Sequence, residues 1–189
     1  AKYGGVGGAL DLSRGYLVVM QHPVTTEYLE SRAQIEETLE AVVGLGIPVL
    51  WFWPNVDAGS DGVSKGIRAY REHHPGLPVH FFKNMIPGDF LRLLLHSRCL
   101  VGNSSVGIRE CSYLGVPVVN IGSRQRGRER GRNVIDVPYD RIEIRRAIQQ
   151  HLSGARPARD HIYGDGKAGQ RIADLLATIA LPIDKTIAY

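Results

Sequence analysis

Tyr16-Leu17-Val18-Val19-Met20 is an unbroken apolar run that stops at Gln21-His22-Pro23. A strand with one wet face alternates apolar with polar residues, whereas a strand covered on both faces reads as a continuous run. Residues 16–20 therefore read as a buried parallel strand. Working outward, a second such run lies at 49–53, and further strands are read at 79–82, 100–101, 116–121 and 134–137. Between them, helical spacing occurs over 27–45, 62–74, 87–97, 107–114 and 140–152, with a last helix over 168–179. In the first of these, Ile35, Leu39, Val42 and Val43 share a face, Thr25 or Thr26 is positioned to cap the start, and Gly44 and Gly46 close the end. Trp51 and Trp53 are assigned to the core, on opposite faces of their strand. Strands alternating with helices mean βαβ units and a parallel sheet of about six strands with helices on both sides, a doubly wound, Rossmann-like α/β domain. Ligands bind such sheets beyond the carboxyl ends of the strands, so the residues that follow each strand are the ones to question.

The 189 residues suit one domain, large enough to bury roughly 70% of its unfolded surface without disulfides. The domain is expected over 14–180, after a Gly-rich segment at 1–13 and before a tail at 181–189. The first segment lacks a basic start followed by an apolar stretch, so it reads as a linker or interdomain segment and not as a signal peptide. No apolar run approaches the roughly 20 residues needed to cross a bilayer, and no membrane role is expected. Cys99 and Cys111 sit among apolar residues, as reduced thiols of cytoplasmic proteins do. Their spacing suits no metal, and no cofactor is expected.

The net charge of +4 invites a nucleic-acid reading. Yet 124–132 alone carries five arginines and one glutamate, so the rest of the chain is neutral. A concentrated positive spot suits a small anion better than a polyphosphate backbone, which usually meets a basic stripe.

Gly102-Asn103-Ser104-Ser105-Val106-Gly107 follows one strand and leads into Ile108-Arg109-Glu110. A small-residue loop before a helix presents free N–H groups, a positive dipole end and serine hydroxyls, which fit a phosphate or diphosphate; a tight turn with a serine cap is the plain alternative. Glu110 has Gly107 three residues before it, so no capping box forms. It is read as an acceptor for neutral hydroxyls such as a ribose diol, against simple helix-dipole stabilisation. The loop holding Arg124, Arg126, Arg130 and Arg132 follows the 116–121 strand, where arginine forks match phosphate oxygens. For the last three, a solvated loop is the favoured reading. His22 directly follows the first strand and is a candidate acid or donor to an anion. His73 and His74 read as partners of a helix C-terminus. Asn55 and Asp57 lie in a strand-to-helix turn, where Asx turns are the plain explanation.

Taken in order, His22-Pro23-Val24-Thr25-Thr26, the segment from Pro54 through Asn55 and Asp57 to Ser60, Gly102-Asn103-Ser104-Ser105 with Gly107-Ile108-Arg109-Glu110, Arg124-Gln125 with Gly127-Arg128-Glu129, and Ile162-Tyr163-Gly164-Asp165-Gly166 resemble the C-terminal half of hydrolysing UDP-N-acetylglucosamine 2-epimerases. The resemblance covers about 16–180. It implies the second domain of a GT-B arrangement, two Rossmann-like domains across a cleft. It places His22 at the reaction centre near the diphosphate and Asn55 on the cleft wall. Met85 would hold uracil through its backbone, Ser104 and Ser105 the diphosphate, Glu110 the ribose hydroxyls and Arg124 the nucleotide region. His22-Pro23 points to the hydrolysing branch. The implied reaction removes the C2 proton of UDP-N-acetylglucosamine, eliminates UDP to a glycal and adds water to give N-acetylmannosamine, in sialic acid or related nonulosonic acid synthesis.

The carboxylates for that chemistry belong, by the resemblance, to an N-terminal domain this chain lacks. The expectations are a UDP-sugar substrate, that missing domain as partner, homo-oligomers of the whole enzyme, and an isolated chain that binds UDP weakly without turnover. Two rivals share the motifs: the nucleotide-binding domain of a GT-B glycosyltransferase, and a non-enzymatic nucleotide or RNA module, whose affinity would fall steeply with salt.

Overall fold

The computed structural model describes residues 3–180; the expected tail at 181–189, and the first two residues of the segment read as a linker, lie outside the described residues. Six strands, β1 (Leu17–Met20), β2 (Val49–Phe52), β3 (Val79–Phe82), β4 (Cys99–Gly102), β5 (Val118–Ile121) and β6 (Val134–Val137), form one sheet in the order β3-β2-β1-β4-β5-β6. Every pairing is parallel, with Leu17 opposite both Val49 and Cys99. The strand order reverses between β1 and β4, and the crevice at their carboxyl ends is where a doubly wound sheet takes its ligand.

Helices α1 (Ser31–Val43), α2 (Ser60–His73) and α6 (Arg141–Ser153) cover one face; α3 (Pro87–His96) and α5 (Glu110–Leu114) cover the other. The pleat sorts the runs that the sequence shows as continuous. Leu17, Val19, Cys99 and Val101 enter the first core, and Val18 and Leu100 the second. All are buried, each aliphatic among them contributing about 1.5–3 kcal/mol. Trp51 and Trp53 correct the expectation of opposite faces. Residues two apart on a strand point the same way, and both indoles pack on Phe81, at 5.9 and 5.6 Å between ring centroids.

Two helix starts also differ from the sequence reading. Neither Thr25 nor Thr26 caps α1: a 3₁₀ stretch over Thr25–Glu30, whose N-cap is Val24, intervenes. The helix expected over 107–114 is two short pieces, α4 (Ser105–Ile108) and α5, separated at Arg109. By contrast Asp140 caps α6 in the usual way, accepting from the amides of Ile142 and Glu143 at 2.9 Å each. A last helix, α7 (Ala168–Thr178), buries no residue. The described part of the N-terminal segment lies along β3, with Val6 and Phe81 exchanging backbone hydrogen bonds of 3.0 and 2.9 Å. Among the described residues, no helix is long and apolar enough to cross a membrane.

Candidate functional site

β1 and β4 run close together to their ends, and Gly102 permits that close approach. Its φ is +135°, and a Cβ there would lie 2.1 Å from the Met20 carbonyl oxygen. Immediately beyond, Asn103 is fully buried and bridges the gap. Its Oδ1 accepts from the His22 amide at 2.7 Å, and its Nδ2 donates to the His22 carbonyl at 2.8 Å. Its own carbonyl accepts from Gln125 Nε2 at 2.7 Å and Arg124 Nη1 at 3.2 Å. One side chain and one carbonyl thus join the ends of β1 and β4 to the basic loop after β5.

His22 is 5% exposed. Burial first, and the Arg124 charge second, hold its pKa down at about 4, against an opposing pull from Asp57. The ring is therefore neutral at pH 7. Its Nδ1 accepts from the backbone amide of Asn55 at 3.1 Å. An amide only donates, so Nδ1 carries no proton and Nε2 does. His22 is thereby set as a neutral N–H donor. Asn55 acts through its backbone, while its side chain is exposed.

Half-buried Arg124 opens onto a hollow of about 560 Å³ between Pro23, Thr25, Glu27, Asp57, Ser123 and Arg126. Glu27 forms part of the wall: it accepts from Ser123 Oγ through one oxygen and from Gln34 Nε2 at 2.8 Å through the other. Ser104 is the N-cap of α4, its Oγ accepting from Val106 N at 3.4 Å, and Ser105 begins that helix. The plain cap reading of Ser104 is realised, with the serine pair next to the Asn103 hub in sequence and half-buried.

Glu110 stands apart from Arg124. It lines a second hollow of about 300 Å³ with Leu91, Tyr113, Asp160, Tyr163 and Gly164. Its Oε2 is buried without a hydrogen-bond partner. Tyr163 donates to the Glu129 carbonyl at 2.9 Å, which ties the 162–166 motif to the basic loop, and Asp165 pairs with Arg171 at 2.7 Å. The Arg171 hydrogen bond keeps the Asp165 carboxyl at about 2. Met85, half-buried against the second core, has its amide donating to Asn84 Oδ1 at 2.8 Å.

The arginines divide by what they already hold. Arg130 folds the basic loop on itself, bonding Asp136 through Nε at 3.1 Å and the Gln125 carbonyl through Nη2 at 2.8 Å. Arg126 and Arg132 are exposed, Arg126 on the rim of the Arg124 hollow. Among the described residues, no three His, Cys, Asp or Glu side chains gather as a metal ion requires.

Asn103 and Glu27 are the positions that local sequence reasoning passed over. Asn103 lies within the loop after β4, and an asparagine directly after a glycine at a strand end is the signal in the sequence that marks it. Glu27 offers a weaker one, an acid five residues after His22.

Residues 7–177 match the family described as UDP-N-acetylglucosamine 2-epimerase. The chain is 32% identical over 171 residues to the hydrolysing UDP-N,N'-diacetylbacillosamine 2-epimerase of Legionella pneumophila, covering 90% of this chain and 45% of that protein. It is 31% identical over 155 residues to the UDP-N-acetylglucosamine 2-epimerase of Neisseria meningitidis, covering 80% and 39%. It is 33% identical over 149 residues to the polysialic acid biosynthesis protein P7 of Escherichia coli, covering 78% and 36%. It therefore spans less than half the length of these curated relatives. The Neisseria meningitidis UDP-GlcNAc 2-epimerase structure bound to UDP-GlcNAc shares the fold, with a TM-score of 0.68 at 16% identity over 88% of this chain and 46% of that one. The Methanocaldococcus jannaschii UDP-GlcNAc 2-epimerase does so at 0.66 and 15%, over 86% and 45%.

Proposed function

The chain belongs to the UDP-N-acetylglucosamine 2-epimerase family, and on that premise we propose that it is the UDP-binding half of a hydrolysing UDP-sugar 2-epimerase. The observation that carries the reading is the crossed pair of hydrogen bonds between His22 and Asn103, with Arg124 on the Asn103 carbonyl. It sets a cation and a neutral imidazole N–H at the point where the strand order reverses.

In the reaction so assigned, a base takes the C2 proton of UDP-N-acetylglucosamine and the C1–oxygen bond breaks. The electron pair leaves with UDP, and a glycal remains. Water then gives its hydroxyl to C1 while a proton returns to C2 from the other face, releasing N-acetylmannosamine. The acids and bases at the sugar come from the other half of the enzyme. This chain stabilises the leaving group: Arg124 and the Nε2–H of His22 meet the charge that develops on the diphosphate, in a site already ordered before the ligand arrives. Ser104 and Ser105 donate to the same group. Glu110 accepts from the ribose hydroxyls, which satisfies its unpaired oxygen. Met85 presents its backbone to uracil once its amide exchanges Asn84 for the base. The whole enzyme is a cytoplasmic homo-oligomer serving sialic acid or related nonulosonic acid synthesis. Without its opposing wall, the isolated chain binds UDP weakly and does not turn over.

Calorimetry of the chain with UDP, UMP and uridine tests this. The expected order of affinity is UDP, then UMP, then uridine, with UDP weakened by both Arg124→Ala and Glu110→Ala. Absence of UDP binding at millimolar ligand, or indifference to both substitutions, overturns it. For the full-length enzyme in heavy water, deuterium at C2 of released N-acetylmannosamine is the expected product; transfer of the sugar to an acceptor would instead favour the glycosyltransferase reading.

A further inference from the structure

The N-terminal segment contains Tyr3-Gly4-Gly5-Val6-Gly7-Gly8, whose composition suggests a flexible linker. The structure separates these glycines into two kinds. A Cβ on Gly5 would lie 2.6 Å from the Phe81 carbonyl oxygen and one on Gly7 2.4 Å from that of Val79, whereas Gly4 and Gly8 have open space around them. Alternate glycines are thus required by close approach to β3, and the segment runs antiparallel to that strand through the Val6–Phe81 bridge. This direction carries Tyr3 to the carboxyl end of β3, the end on which a ligand binds.

There Tyr3 completes a helix cap from a distance. α3 begins after Ile86, its N-cap residue, which supplies no side-chain cap. Asp89 holds the third helical position, from which an acidic side chain commonly reaches back to the N-cap amide. Here the Tyr3 hydroxyl stands between the two: it accepts from the Ile86 amide at 3.4 Å and donates to Asp89 Oδ2 at 2.5 Å. Asp89 also receives Arg92 Nη1 at 3.4 Å. The residue just before Ile86 is Met85.

We propose that Tyr3 is a positioning residue for nucleotide-base recognition. By relaying the Ile86 amide to Asp89 it fixes the 83–86 turn, so that the Met85 backbone is presented to the base in one register. The inference rests on the UDP-binding reading and adds to it a residue from outside the sheet. Its reach is the base alone, because the diphosphate groups His22, Ser104 and Arg124 stand at the ends of β1, β4 and β5 and share no hydrogen bond with this relay.

Tyr3→Phe keeps the ring and removes the hydroxyl. In the chain as given, calorimetry with UDP and with inorganic pyrophosphate is expected to show UDP weakened about three- to tenfold, the value of one or two hydrogen bonds, with pyrophosphate unchanged. Asp89→Ala should match Tyr3→Phe, the double variant should be no worse than either, and Asp89→Asn, which retains an acceptor, should bind UDP nearly as the parent does. Equal weakening of UDP and pyrophosphate would reveal a purely structural strap and overturn the proposal, as would unchanged UDP affinity in Tyr3→Phe. A parent chain that binds pyrophosphate but not UDP defeats the underlying nucleotide reading, and this inference with it.

Discussion

The crevice between β1 and β4 and the hollow at Glu110 solve opposite problems. In the crevice the strand ends are tied together: Asn103 makes four hydrogen bonds with His22, Arg124 and Gln125, and the His22 ring is held by Asn55, while Gln125 Oε1 is buried without a partner. In the hollow, Glu110 keeps one buried carboxylate oxygen with no partner. A site for a strongly charged group gains by holding its donors rigid, since reorganising them would consume binding energy. A site for neutral hydroxyls gains less when its groups are fixed before the ligand binds. An acceptor left unsatisfied in the free chain, at a cost of about 1–3 kcal/mol, recovers that cost when a hydroxyl arrives. The two regions therefore differ in what a substitution should disturb: stability along with affinity in the first, and ligand affinity alone in the second.

The contrast breaks most readily at Asn103. Asn103→Ala removes both bonds to the His22 backbone and leaves buried groups unpaired, so chemical denaturation should show a loss of about 3 kcal/mol. A loss below about 1 kcal/mol would mean that the crevice is not held as the geometry indicates. Next in size is a pH effect. The folded pKa of His22, about 4, lies below its ordinary 6.5. As pH falls below 6.5 the unfolded chain takes the proton first, so the stability present at neutral pH is lost progressively down to about 4. Unfolding curves should show up to about 3 kcal/mol of such loss in the parent and not in His22→Gln. Arg124→Ala should weaken UDP about 30-fold by calorimetry, as expected for charge-assisted bonds, and should raise the His22 pKa in an NMR titration by removing a neighbouring positive charge. The smallest effect is expected at Glu110. Glu110→Gln should weaken UDP about fivefold, leave pyrophosphate unchanged and leave the melting temperature at or above that of the parent, because no internal partner is lost. A clear fall in melting temperature would show that its free oxygen is engaged in solution, and the contrast would fail.

Much of this was legible in advance where the cause is local. β1, β2 and β4 stand on unbroken apolar stretches, because a central strand covered on both sides needs apolar residues throughout, whereas β3, β5 and β6 carry His80, Asn120 and Asp136. The loop after β4 and the one after β5 were marked by glycines, serines and arginines whose chemistry is independent of neighbours. The structure differs from the sequence reading in side-chain direction and at helix starts. Trp51 and Trp53 share a face by the twofold repeat of a strand. The break at Arg109 left no mark in the residue types, and the threonines before α1 were displaced by a 3₁₀ turn. Arg130 has the same local sequence context as its neighbours in the basic loop, but Asp136 and the Gln125 carbonyl occupy it.

The order of residue types alone determined a parallel, doubly wound sheet and a small-residue loop leading into a helix at one of its strand ends, since patterning and turn chemistry act over a few residues. Which groups hold one another was settled only by the packed chain. Asn103 meets a histidine 81 positions away, and Tyr3 caps a helix 83 positions downstream. Such pairings follow from how strands are laid side by side, and hydrogen bonds made across a sheet leave no periodicity for a linear reading to detect.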